Sequence, residues 1–148
     1  MTNKHLFFIA LLLIASSVAA FFELTVPKEL ISTLFTVNSI MFSLGLGLIV
    51  SFNMGRIKNR SYIKTIRANI AKVKNTFMLL FGISVCFFIA NSLHTEAHYL
   101  AIFSKKITFS MPVFTLLIII YSAFYFVVNF IEIQKLNDSI FDRLLDEE

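Results

Sequence analysis

The sequence predicts an all-α integral membrane protein with four transmembrane helices. Apolar residues make up 57% of the 148-residue chain and the mean hydropathy is +0.81. These residues lie in long blocks, which is typical of membrane spans and not of a soluble core. Basic residues concentrate in one short segment between two blocks, the pattern that marks the cytoplasmic side of a membrane protein. No internal repeat divides the chain, so we expect a single domain covering residues 1–148.

The apolar blocks define the four predicted spans, since about 20 residues are needed to cross a bilayer. They cover approximately residues 6–22, 34–53, 76–92 and 109–131. The fourth block contains Pro112, a residue that suits the first turn of a helix. The segment 23–31, interrupted at Pro27, is predicted to be an external connection, and residues 94–108 form a second one.

The first block has two interpretations. Its basic start, apolar centre and small residues at 18–20 resemble a secretory signal that is cleaved. Phe21 and Phe22 continue the apolar run beyond that cleavage point, so we favour a retained first span. Both interpretations leave Glu23 outside, and the topology of the remaining chain is the same.

The segment 55–75 between the second and third spans contains no acidic residue. Seven of the chain's thirteen Lys and Arg residues lie there: Arg56, Lys58, Arg60, Lys64, Arg67, Lys72 and Lys74. Ile63, Ile66 and Ile70 fall on one arc of a helix, with cations on both sides of it. We therefore predict an amphipathic cytoplasmic helix that lies in the headgroup layer and binds anionic lipid or a cytosolic partner. The alternative is a loop that only sets the orientation.

The tail, residues 132–148, holds six acidic and two basic residues. Ile133, Leu136, Ile140 and Leu144 recur at helical spacing, which predicts that the fourth helix continues into the cytoplasm. The acidic tail and the basic segment are therefore expected on the same side of the membrane.

Two polar stripes at helical spacing are candidate pore linings. The stripe on the second span comprises Ser32, Thr36, Ser39, Ser43, Gly47 and Ser51, and the stripe on the fourth comprises Thr115, Ser122 and Asn129. Hydroxyl groups can replace part of an ion's hydration shell. A four-helix bundle fills its own core, so conduction would require several copies of the chain. The alternative is that the small residues allow close helix packing.

The third span carries a second series of small residues, Gly82, Cys86 and Ala90, which we predict to be helix-packing positions. Cys86 is the only cysteine, so no intrachain disulfide can form. A thiol in hydrocarbon has a raised pKa and is a poor nucleophile, which favours a packing role for Cys86.

The predicted spans lack the side chains that catalysis requires. No Asp, Glu, Lys, Arg or His lies in the cores of the second, third and fourth spans, which disfavours an enzyme and a proton-coupled carrier. His94 and His98 flank Glu96 but have no obvious third ligand, so we expect neither a metal site nor a cofactor. The net charge of +4 is juxtamembrane and does not predict direct nucleic-acid binding.

Three features together resemble the RexB-type phage exclusion membrane proteins. They are the polar helix 36–52, the GRIKNR cluster with the basic helix that follows it, and the Pro112-led final span with its charged tail. The resemblance implies a four-helix ion channel of the bacterial inner membrane that depolarises the cell when a cytosolic sensor detects infection. The topology is also similar to four-helix membrane subunits of two-component antiphage systems such as Kiwa.

We therefore expect a multi-pass inner-membrane protein whose basic segment and C-terminus are cytoplasmic. The main hypothesis is a homo-oligomeric abortive-infection effector that forms an ion-conducting pore when a cytosolic sensor protein signals to it. One alternative is a non-conducting anchor or sensor subunit that recruits a soluble defence partner through the basic segment. A holin-like lysis protein is the other alternative.

Overall fold

Four helices form the protein in the computed structural model, which describes residues 3–51, 60–93, 99–102 and 105–146. They are α1 (Asn3–Phe21), α2 (Lys28–Ser51), α3 (Arg60–Leu93) and α4 (Met111–Asp146). The four predicted helical blocks are confirmed. By length and composition, α2, α3 and α4 can each cross a membrane, and the apolar part of α1, His5–Phe21, is shorter.

The connection between α3 and α4 contains a short hairpin that the sequence analysis did not predict. Strands β1 (Tyr99–Ile102) and β2 (Lys105–Thr108) pair antiparallel, with Tyr99 opposite Thr108. Strand β2 also contacts α1. The hairpin therefore lies at the end of the bundle where α1 ends and α4 begins.

Helix α2 begins earlier than predicted. The sequence analysis assigned residues 23–31 to a connection, whereas α2 starts at Lys28. The Pro27 carbonyl accepts hydrogen bonds from the amides of Leu30 and Ile31, at 3.2 and 3.4 Å. Proline lacks an amide hydrogen and holds a fixed φ, so it is suited to a position at the start of a helix.

Helix α3 joins two elements that the sequence analysis separated. Residues 60–75, predicted as a helix of their own, and the predicted span 76–92 form one continuous helix of 34 residues. At about 1.5 Å per residue this helix is roughly 50 Å long, far more than the hydrocarbon core of about 30 Å. Helix α4 is similarly extended, with 36 residues, which confirms the predicted helical tail as far as Asp146.

Aromatic contacts establish the helix directions. Rings of α2 and α3 stack in two pairs, Phe35–Phe88 at 4.1 Å and Phe42–Phe81 at 4.0 Å between centroids, so these helices are antiparallel. Helices α3 and α4 are antiparallel as well, since Phe77 lies against Phe126 and residue 87 lies against residue 114. Helix α1 is also antiparallel to α4, since Phe8 stacks on Tyr121 and His5 contacts Tyr125. The bundle is therefore up-down-up-down.

The core of α2, α3 and α4 follows a spacing of seven residues. Each helix contributes one row of buried residues seven positions apart: Ile31, Asn38 and Gly45 on α2, Ile70, Phe77, Ser84 and Asn91 on α3, and Ile119, Phe126, Ile133 and Ile140 on α4. A seven-residue apolar repeat keeps one side of each helix facing its neighbours. The rows contain two asparagines and a serine, which is unusual for buried positions.

The end of α1 provides a first testable prediction. Glu23 has a φ of 54°, and the amides of Leu24 and Glu23 donate to the carbonyls of Ala19 and Ala20, which is the Schellman arrangement. Because glycine adopts this φ without a Cβ clash, Glu23→Gly is expected to raise the free energy of unfolding by about 0.5–1 kcal/mol. Unfolding by SDS titration in micelles measures it. Glu23→Ala removes the same charge but keeps the Cβ, and an equal gain there would contradict the backbone explanation.

Candidate functional site

The polar stripe of α2 lies on the outside of the bundle. Ser32, Thr36 and Ser43 are exposed, and Ser39 is half-buried. The hydroxyls of Thr36, Ser39 and Ser43 donate to the carbonyls four residues earlier at 3.0, 2.9 and 3.1 Å. These bonds satisfy the hydroxyl protons within the helix, so this face can contact lipid or another helix without a large desolvation cost.

Gly47 extends the same outer face. A Cβ placed on Gly47 would meet no atom within 4 Å, so contacts within the chain do not require a glycine at this position. The side chain of Ser51, the last predicted member of the stripe, lies outside the described residues.

The polar stripe of α4 lies inside the bundle, and this separates the two predicted pore linings. Thr115 is 0% and Ser122 is 1% exposed, and Asn129 is half-buried. The Thr115 hydroxyl donates to the Met111 carbonyl at 2.9 Å, and the Asn129 amide donates to the Tyr125 carbonyl at 2.7 Å. The two stripes therefore do not share one surface of the protein.

The small residues of α3 border open space at two of three positions. Cys86 is exposed, and a Cβ placed on Gly82 would meet no atom within 4 Å. Ala90 is half-buried. Gly82 and Cys86 are therefore available for contact with another helix, and their predicted packing role stays a prediction.

The basic segment presents charges on the N-terminal half of α3. Lys64, Arg67 and Lys72 are exposed and Lys74 is half-buried. Arg56 and Lys58 lie outside the described residues, as does the side chain of Arg60. The exposed cations are accessible to an anionic ligand from the end of the bundle where α3 begins.

The apolar arc of the basic segment packs against protein. Ile66 and Ile70 are 4% and 8% exposed and form a buried cluster with Ile140, against which Ile49 and Leu136 also pack. The sequence analysis predicted that this arc lies on lipid in the headgroup layer. Instead, the tail of α4 covers it, because the isoleucines of the two extended helices complete each other's apolar faces.

Sequence reasoning missed a polar contact between the start of α1 and the apolar part of α4. The His5 Nδ1 atom lies 2.8 Å from the Tyr121 hydroxyl, and the Tyr125 ring meets the imidazole edge-on at 5.3 Å. His5 immediately precedes the predicted span 6–22. His5 and Tyr121 are 116 positions apart in the sequence, so local sequence patterns do not reveal this contact.

Within the described residues, no group of three His, Cys, Asp or Glu side chains could hold a metal ion. His94 and His98 lie outside the described residues, so the expectation that they bind no metal stays a prediction.

Comparison with known proteins identifies no relative of this chain. The sequence matches no protein-family model, and neither curated protein sequences nor solved structures give a significant match. The fold itself defines the class: an antiparallel bundle of four helices, of which three are long and apolar enough to cross a membrane.

Proposed function

We propose that this protein is a bacterial inner-membrane effector that assembles with copies of itself into an ion-conducting pore, opened by a cytosolic partner during phage infection. The observation that carries the pore proposal is the outward-facing hydroxyl stripe of α2. The setting in phage defence comes from the resemblance to RexB-type proteins described above.

Helix lengths and charges support insertion in a membrane. Lys74 is the first charged residue inward from the apolar part of α3, and 19 residues, or about 28 Å, separate it from Leu93 at the outer end. In α4, 21 residues separate Met111 from Glu132, the first charge of that helix, or about 32 Å. Both lengths agree with a hydrocarbon core of about 30 Å. The basic segment then lies on the cytoplasmic side.

The packing of the bundle supports a pore between copies and not within one. Stacked phenylalanine rings pack the helices of one chain against each other, and Thr115 and Ser122 of the α4 stripe are enclosed between them. The α2 stripe is the polar surface that remains on the outside of an apolar helix. When several α2 helices surround one axis, their hydroxyls line a polar path.

The position of the basic face supports a soluble partner. Lys64 and Arg67 precede Lys74 by ten and seven residues, or about 15 and 10 Å along α3. Helical side chains lean toward the N-terminus, which here points away from the bilayer. The two exposed cations therefore extend toward the cytoplasm and suit an acidic protein surface, whereas Lys72 and Lys74 suit lipid headgroups.

The same basic face favours one alternative, a non-conducting anchor that recruits a soluble partner. In that case the α2 stripe serves only in packing between helices. Membrane potential separates the two functions, because an anchor leaves the potential unchanged at every expression level.

A dye assay in bacteria tests the pore. Host cells that carry the protein and a potential-sensitive dye are expected to depolarise on phage infection, and Thr36→Leu with Ser43→Leu is expected to abolish the effect by making the outer face apolar. The matched control is Val37→Leu, an exposed position on the same helix (44% exposed) outside the stripe. Absence of depolarisation by the wild type on infection, or full depolarisation by the double variant, would contradict the pore.

A further inference from the structure

Three polar side chains are enclosed in the interior of the bundle near its middle. Asn38 is 2%, Ser84 is 0% and Ser122 is 1% exposed. The Nδ2 atom of Asn38 and the Oγ atom of Ser122 have no hydrogen-bond partner among the described residues. Buried polar groups in proteins are nearly always hydrogen-bonded, to protein or to ordered water.

The stacked phenylalanine pairs place Asn38 opposite Ser84. Phe35 and Phe42 stack on Phe88 and Phe81, respectively, in the antiparallel neighbour. Asn38 lies between the first two rings on α2, and residues 84 and 85 lie between the other two on α3. The Asn38 and Ser84 side chains are both buried, so they face the same interior layer from two helices.

Ser122 lies close to this layer on the third helix of the core. A Cβ at Gly45 would lie 2.5 Å from the Phe126 ring, which places these two residues of the parallel helices α2 and α4 at one level. Asn38 precedes Gly45 by seven residues, and Ser122 precedes Phe126 by four. The axial offset between Asn38 and Ser122 is therefore three residues, or about 4.5 Å.

We propose that the bundle holds water at a site formed by Asn38, Ser84 and Ser122, near the middle of the predicted membrane core. The Asn38 amide donates a hydrogen bond, and the Ser122 hydroxyl can donate or accept one. The Ser84 hydroxyl donates to the Leu80 carbonyl at 2.9 Å and retains a lone pair that can accept. Three such groups match the roughly three hydrogen bonds of a typical buried water.

The water site and the proposed pore use different surfaces of the protein. The α2 stripe faces outward, whereas this site faces the interior of one chain, so each surface can be altered separately. Without water, the Asn38 amide and the Ser122 hydroxyl would each lose the hydrogen bonds that water supplies in the unfolded chain. Apolar side chains of the same size would avoid that loss, so the polar residues are best explained by a ligand that hydrogen-bonds them.

Thiol accessibility tests the site in the full chain, in lipid nanodiscs and in a Cys86→Ala background. Ser122→Cys is expected to react with Ag⁺ about tenfold faster or more than Val113→Cys, because a thiol in a dry core reacts only after local opening. Val113 is also buried (8% exposed) and lies nearer the outer end of α4, so depth alone would favour the control. Adding Asn38→Leu is expected to slow Ser122→Cys to the control rate. Equal rates for the two single-cysteine chains would overturn the proposal.

A measurement on the wild-type chain avoids any effect of substitution on folding. In bilayers, water-edited solid-state ¹⁵N NMR is expected to transfer magnetisation from water to the Asn38 side-chain amide, which the spectrum of Asn38→Leu identifies. Exposed Asn69 serves as the positive reference. An Asn38 amide that receives no magnetisation from water would overturn the proposal.

Discussion

Replacing Gly45 with alanine is expected to lower the free energy of unfolding by about 1–2 kcal/mol, although alanine is normally the better helix former by about 1 kcal/mol. The added Cβ would lie 2.5 Å from Cε2 of Phe126 and 3.1 Å from Cε1 of Phe77. The Phe126 ring cannot move away freely, because it is 9% exposed and lies against Phe77 and Phe130 at 5.3 and 5.4 Å. Gly45→Val is expected to cost more, since two further methyl groups enter the same space.

Two other glycines provide the matched controls for Gly45. A Cβ at Gly47 or Gly82 would meet no atom within 4 Å, so each alanine variant is expected to keep the propensity gain of up to about 1 kcal/mol. Unfolding by SDS titration in micelles measures all three variants. If Gly45→Ala proved as stable as Gly47→Ala, the close approach of α2 to α4 at this position would be refuted.

The helical blocks could be predicted from the sequence because each is apolar over about the length of a membrane span. The sequence also contains a signal that α3 is continuous, since residues 60–81 include neither glycine nor proline. The high charge of residues 60–75 favoured a separate surface helix over that signal. Charge reports where a helix meets water, and only a breaking residue or a packing constraint ends the helix.

The spacing of the two polar stripes could not predict which of them is buried and which is exposed. Ser43 and Ser122 both belong to regular helical rows, yet one is exposed and the other enclosed. Periodicity identifies residues that share a face of a helix, and the neighbours in the bundle decide where that face points. Asn38 could have been recognised by its seven-residue spacing from Ile31 and Gly45, a row otherwise free of polar side chains.

Replacing Ile140 in the tail of α4 with aspartate is expected to destabilise the basic segment of α3, because the two pack together. Ile140→Asp places a carboxylate at a position that is 6% exposed, in the cluster with Ile66 and Ile70. Loss of this packing is expected to cost about 2.7 kcal/mol of local stability, within the range for buried aliphatic residues. Amide hydrogen exchange in residues 61–73 should then become about 100-fold faster, because each 1.4 kcal/mol changes an equilibrium constant tenfold.

The matched control is the neighbouring Ser139→Asp, which adds the same charge on the exposed side of α4 and is expected to leave exchange in α3 unchanged. Exchange in residues 77–93 should stay slow in both variants, since these residues pack against the apolar half of the bundle. A basic helix that lay on lipid would give a different result: Ile140→Asp would not affect residues 61–73, and only a change in α3 itself would. The exchange pattern therefore distinguishes an extended α3–α4 pair, which presents Lys64 and Arg67 to a soluble partner, from a helix held at the membrane surface.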